Sequence, residues 1–104
     1  MKVRISEGCL RVRLSDVDLN VFSKKGKVSN TLVFPSGASL TTILETGTDY
    51  QVNYEESQIT IKIPASKMIL ISNQEEIGTT HVFDLPNGKH LQVIVEKDLQ
   101  RRKS

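Results

Sequence analysis

The residues with the most chemistry to offer are four cations near the start of the chain, Lys2, Arg4, Arg11 and Arg13. Lys2 and Arg4 alternate with Val3 and Ile5, and Arg11 and Arg13 alternate with Leu10, Val12 and Leu14. Successive side chains of a strand point to opposite faces, so this pattern predicts a hairpin with its cations on one face and its apolar residues on the other. Ser6-Glu7-Gly8-Cys9 supplies the turn, where Gly8 tolerates positive φ. Four like charges on adjacent strands repel unless they are solvated, paired or facing an anion. The plain reading is an outer face in water, partnered by acids from elsewhere in the chain. The sharper reading is a site for phosphate, nucleotide or carboxylate, because guanidinium forks match such oxygens. The sequence leaves open whether the face looks outward or into a lumen.

Other reactive residues form no constellation. Cys9 lies beside a turn, with no base or helix start near it in sequence, and reads as a small half-buried thiol rather than a nucleophile. His81 and His90 lack the spacing of metal ligands. Glu55-Glu56 and Glu75-Glu76 read as solvated turns, since adjacent strand residues diverge. There is no Gly-rich phosphate loop and no nucleophile elbow, so no catalytic residue, metal site or cofactor is assigned. The chain has no Trp, and its Phe and Tyr do not cluster with the basic strands, which disfavours stacking on nucleic-acid bases. One apolar stretch needs a separate account. Met68, Ile69, Leu70 and Ile71 would cover more than one side of a helix, and a helix apolar on two sides must bury both. The second side is expected to be a subunit interface, making the protein a homodimer.

The elements that must position these residues come as an internal repeat. Moving the chain by forty-nine positions places Val3 on Val52, Leu10 on Ile59, Val12 on Ile61, Leu14 on Ile63, Leu19 on Met68 and Phe22 on Ile71. Val33-Phe34 then falls on Val82-Phe83, after which an offset of fifty-one is needed to place Pro35-Ser36-Gly37 on Pro86-Asn87-Gly88 and Glu45 on Glu96. Insertions favour loops, so the two extra residues are assigned to the Pro-Gly turn. Each half reads as strand, turn, strand, helix, strand, turn, strand. In the first, Ser15 is placed to cap a helix whose start is acidic (Asp16, Asp18) and whose end is Lys24-Lys25-Gly26. In the second, Pro64 suits the first turn of a helix over Ala65 to Asn73.

Length and composition bound the rest. With 104 residues, 38% of them hydrophobic, the chain makes one domain over residues 1–97, built of two repeats (1–48 and 49–97) that share a core, with a basic tail at 98–104. Residues 1–48 carry seven basic and four acidic groups, and residues 49–96 three and seven, so the halves have opposite signs, which helps them dock or helps two molecules meet. No apolar run is long enough to span a bilayer, the start lacks a signal-peptide pattern, and one cysteine permits no internal disulfide. These features point to the cytoplasm.

The opening MKVRISEGCLRVRLSDVDL, the Phe83-x-x-Pro86-x-Gly88-x-x-Leu91 segment and the close Val95-Glu96-Lys97-Asp98 resemble a family of short bacterial proteins of unknown function. That family is common in Bacteroidetes and typically opens Met-Lys-Ile-Arg-Ile. The similarity covers nearly the whole chain, and its motifs are structural, so it carries over no functional residue. Pro64-Ala65-Ser66-Lys67-Met68 departs from it by lacking a Trp-rich helix. The order of elements is also similar to that of the CYTH-like tunnel-barrel triphosphatases, whose duplicated unit closes an eight-stranded antiparallel barrel. Their early Glu-x-Glu-x-Lys strand is replaced here by Lys2-Val3-Arg4-Ile5, so their metal site is not implied.

The expected fold is α+β: two ββαββ units, eight mostly antiparallel strands and two helices. A closed or nearly closed barrel is favoured because it leaves no edges, with two packed four-stranded sheets as the alternative. The expected function is a non-catalytic binding or assembly module with a protein partner, possible second copies included. An anion-binding barrel or degenerate enzyme ranks second, and a weak nucleic-acid binder third.

Overall fold

A computed structural model of the chain describes residues 1–73 and 75–98. Its elements are β1 (Lys2–Ser6), β2 (Cys9–Leu14), α1 (Asp16–Lys25), β3 (Lys27–Val33), β4 (Ser39–Gly47), β5 (Gln51–Glu55), β6 (Gln58–Pro64), α2 (Ala65–Ser72), β7 (Gly78–Asp84) and β8 (His90–Lys97), with a short 3-10 turn at Pro86–Gly88. The basic tail assigned from sequence lies outside the described residues beyond Asp98.

The eight strands form two four-stranded sheets, ordered β1-β2-β8-β7 (sheet A) and β3-β4-β6-β5 (sheet B). The favoured barrel is therefore corrected to the alternative of two sheets. In each sheet the outer ladders are antiparallel, but the central ladder, β2 with β8 or β4 with β6, is parallel. Parallel neighbours cannot be joined by a tight turn and need a crossover. In sheet A the crossover from β2 to β8 runs through the whole of sheet B, α1 carrying the chain out and α2 carrying it back, whereas in sheet B the strand β5 alone separates β4 from β6. Each sheet thus takes one hairpin from each half of the chain. The inward residues of both sheets meet the helices in a single core, in which Val12, Leu14, Leu44, Ile63 and Val95 are wholly buried beside Leu19, Phe22, Met68 and Ile71.

The two halves exchange the sheets between them. Cys9 lies opposite Gln92 in one central ladder, and Gln58 opposite Thr41 in the other. The outer registers move the two extra residues of the second half. Lys27 pairs with Glu45 and Gly78 pairs with Glu96, so β3 corresponds to β7 at an offset of fifty-one, like the strands that follow. The insertion thus falls between α2 and β7, before the Pro-Gly turn rather than in it. A two-residue insertion preserves strand parity, so either placement buries the same residues, and the hydrophobic pattern alone does not separate them.

The helices begin and end differently. Ser15 caps α1, its hydroxyl accepting the Asp18 N–H at 3.1 Å while Asp18 Oδ2 accepts the Ser15 N–H at 2.9 Å, a reciprocal capping box. Gly26 ends α1 in the left-handed region at φ 78°, with its N–H donating to Phe22 O at 2.7 Å. In α2, Pro64 occupies the cap position and offers no side-chain acceptor, and the helix spans only eight residues. Among the described residues no helix is long and apolar enough to cross a membrane.

Candidate basic face on the outer side of sheet A

The hairpin of β1 and β2 forms where the alternation places it. Lys2 pairs with Arg13, and Arg4 with Arg11, across an antiparallel ladder. Their side chains stand away from the core that buries Leu10, Val12 and Leu14, so the cationic face looks outward. Cross-strand neighbours on such a face lie about 5 Å apart. All four line a shallow cleft of about 180 Å³.

The four cations are not equivalent. Arg13 Nε donates to Glu96 Oε2 at 2.8 Å, and Lys2 Nζ lies 3.1 Å from Asp98 Oδ2. This row is neutralised from within. Glu96 reaches it because β8 runs beside β2 with Glu96 opposite Arg13. On the far side of Glu96 stands Gly78, where a Cβ would come within 2.7 Å of the Glu96 Cβ. The second row is left over. Arg4 makes no ion pair among the described residues. Arg11 Nε is 3.7 Å from Glu96 Oε2, beyond hydrogen-bond reach, and is buried without a hydrogen-bond partner.

The other half supplies a built-in comparison. At the corresponding positions of sheet B, Lys62 faces Glu45 with Nζ to Oε2 at 3.7 Å, repeating the Arg13–Glu96 pair. Lys2, Arg4 and Arg11, by contrast, correspond to Gln51, Asn53 and Thr60. The cation–carboxylate pair of the central ladder is common to both sheets, Arg13–Glu96 in one and Lys62–Glu45 in the other. The like-charged Arg4–Arg11 pair exists in only one of them, so nothing in the architecture requires it.

The remaining residues singled out from sequence are scattered. Cys9 is a half-buried free thiol. His81 stacks on Tyr50 with ring centroids 4.3 Å apart and meets the edge of Phe83 at 4.7 Å, while the Tyr50 hydroxyl is hydrogen-bonded to Thr79. His90 Nδ1 contacts Asp84 Oδ1 at 3.0 Å on the exposed end of a hairpin, so the two histidines serve different places. Glu55-Glu56 is at the β5–β6 turn, whereas Glu75 and Glu76 follow α2 and donate their backbone N–H groups to Leu70 O. Of the proposed interface, Met68 and Ile71 are core residues at 3% and 1% exposure, leaving Ile69 exposed and Leu70 half-buried. Among the described residues no group of three His, Cys, Asp or Glu side chains is placed to hold a metal ion. Sequence reading missed the partners Glu96 and Asp98, which are more than eighty residues from the cations they neutralise.

Two mixed four-stranded sheets, each assembled from both halves of an α+β chain, with a cationic outer hairpin, define this protein's class. The chain belongs to a family of unknown function, DUF7009, whose sequence pattern matches residues 1–103. Comparison with curated proteins and with solved structures gave no match.

Proposed function

We propose that the protein is a non-catalytic binding module whose working surface is the outer face of β1 and β2, and that Arg4 and Arg11 bind the anionic oxygens of a phosphate or carboxylate group. The observation that carries this reading is the cross-strand arginine pair, present in one half and replaced by Asn53 and Thr60 in the other. Two guanidinium groups directly opposite one another repel, and an anion lying between them would relieve that repulsion. A bound oxyanion would also supply an acceptor for the Arg11 Nε. Arg13 and Lys2 frame the site, already partnered by Glu96 and Asp98. The half-buried thiol of Cys9 suits a reducing compartment, which extends the proposal to a bacterial cytoplasm.

Thermal unfolding of the full chain against inorganic phosphate, nucleotides and polyphosphate tests this. A ligand that binds only the native state raises stability by mass action, by about 2.7 kcal/mol at a hundred times its dissociation constant. The melting temperature should rise at millimolar ligand, and the rise should vanish in Arg4→Ala/Arg11→Ala. No rise in the unsubstituted protein with any of these anions overturns the reading.

A further inference from the structure

We propose that the arginine pair receives the acidic tip of the β5–β6 hairpin of a second copy of this chain, joining copies head to tail. This rests on the reading of Arg4 and Arg11 as an anion site, and it names the source of the oxygens: the carboxylates of Glu55 and Glu56.

Charge left over after internal pairing is the argument. On the outer face of sheet A four cations meet two carboxylates: Lys2 pairs with Asp98, Arg13 and the more distant Arg11 share Glu96, and Arg4 has none, which leaves an excess of two positive charges. On the outer side of sheet B, Glu45 is occupied by Lys62, leaving Glu55 and Glu56, which are exposed and form no ion pair among the described residues. An excess of two positive charges on the outer face of sheet A thus matches an excess of two negative charges on that of sheet B. Glu7, at the tip of the basic hairpin, is the one acid beside the arginine pair in sequence and corresponds to Glu56.

The acidic tip also has a suitable shape. Glu56 and Ser57 are the two central residues of the turn, both in the left-handed region at φ 52° and 63°. Two left-handed central residues are the signature of the tightest hairpin turn, so the tip is narrow and carries its carboxylates at its end. The basic side offers it a shallow cleft, while Glu55 and Glu56 also border a cleft of their own on the outer side of sheet B.

These two surfaces lie on the outer sides of different sheets, and both sheets face a common core between them. A copy that gives its acidic tip to one neighbour therefore keeps its arginine pair free for another. Contacts of this head-to-tail kind generate rings if the rotation closes and open chains if it does not. A hairpin tip in a cleft is a small interface, which places the contact in the weak, transient class.

Sedimentation velocity of the full chain tests the proposal. At about 20 mM salt the weight-average mass should climb with concentration past that of a dimer, and at about 500 mM salt it should return to that of one chain, because screening removes contacts between exposed charges. R4E/R11E carries acid on both sides and E55K/E56K carries base on both sides. Each alone should weaken self-association about tenfold or more, and mixing the two in equal amounts should restore it. R4Q/R11Q, which introduces no repulsion, should lose the association while keeping the circular dichroism of the parent. A single-chain mass at low salt up to about 1 mM protein overturns the proposal, as does a mixture of the two charge variants that fails to associate when both are folded. If inorganic phosphate stabilises the protein and the mass stays that of one chain, the anion site stands and the second copy is removed. If phosphate gives no stabilisation in that case, both readings fall.

Discussion

Asp18 shows how much one carboxylate can join. Its Oδ2 accepts the Ser15 N–H and lies 2.8 Å from the Met1 amino group, fastening the start of β1 to the first turn of α1. Burial pushes this carboxyl up, but the Met1 amine, the Ser15 N–H and the Ser15 hydroxyl outweigh it and hold the group below the usual carboxylate range. A lowered native value means that the stabilisation is fully present above the unfolded-state pKa and is lost as pH falls through the native one. Asp18→Asn should therefore cost about 1 kcal/mol at neutral pH, the ordinary scale of a lost cap. Urea unfolding should show the two proteins converging as the solution is acidified below the ordinary aspartate range. A difference that persists undiminished in acid would show that Asp18 acts through shape and not charge. The cap itself was readable in Ser15-x-x-Asp18, because capping is local. The partners of Arg13 and Lys2 were not, because Glu96 and Asp98 reach them only after the last strand is laid beside β2.

At the scale of elements, the β5–β6 turn is the strained one. Glu56 and Ser57 both occupy left-handed backbone that costs a residue with a Cβ roughly 1–2 kcal/mol. Ser57→Gly should relieve this by more than glycine's added unfolded-state entropy costs, a net stabilisation of about 0.5–1 kcal/mol. Thermal unfolding that leaves the melting temperature unchanged or lowered would show that the turn is not under strain. The corresponding turn in the first half already places Gly8 at φ 73°. The elements that bury one face were the most legible from sequence: β2 reads intermediate and buried in strict alternation, and α1 buries Leu19 and Phe22 one turn apart. What failed at this scale was the site of the insertion. Val33-Phe34 over Val82-Phe83 is a good match of types, but the ladder sets Val33 with Asp84 and Phe34 with Leu85. Types are degenerate among apolar residues, and register is fixed by hydrogen bonds that composition does not display.

At the scale of the molecule, each half is incomplete in a specific way. The first half owns the β1–β2 hairpin but not the β7–β8 hairpin that completes its sheet, and the same holds for the second half in sheet B. Leu14, Leu44, Ile63 and Val95 are buried only because strands from both halves enclose them. Fragments 1–48 and 49–104 should each give the circular dichroism of an unfolded chain, and mixing them should recover sheet signal. An isolated fragment that unfolds cooperatively would contradict an interleaved core. The like order of elements in the two halves was legible in the sequence, and residues of both halves meet in one core. Barrel closure was inferred from the cost of open edges, but the two sheets keep four of them: β1 and β5 are short at five residues each, with Lys2 and Arg4 on the first, while β3 and β7 have seven. Short and charged strands resist unwanted pairing at two of these edges.

The central ladder of sheet A also orders events in time. Arg13 and Glu96 are separated by 83 positions, whereas β4 and β6 are separated only by β5. During synthesis every strand of sheet B emerges before β7 and β8 exist, so that sheet can close while β1 and β2 still wait for a neighbour. Until β8 has emerged, the inner edge of β2 is an open template beside the cationic hairpin, and β8 is the strand that covers it.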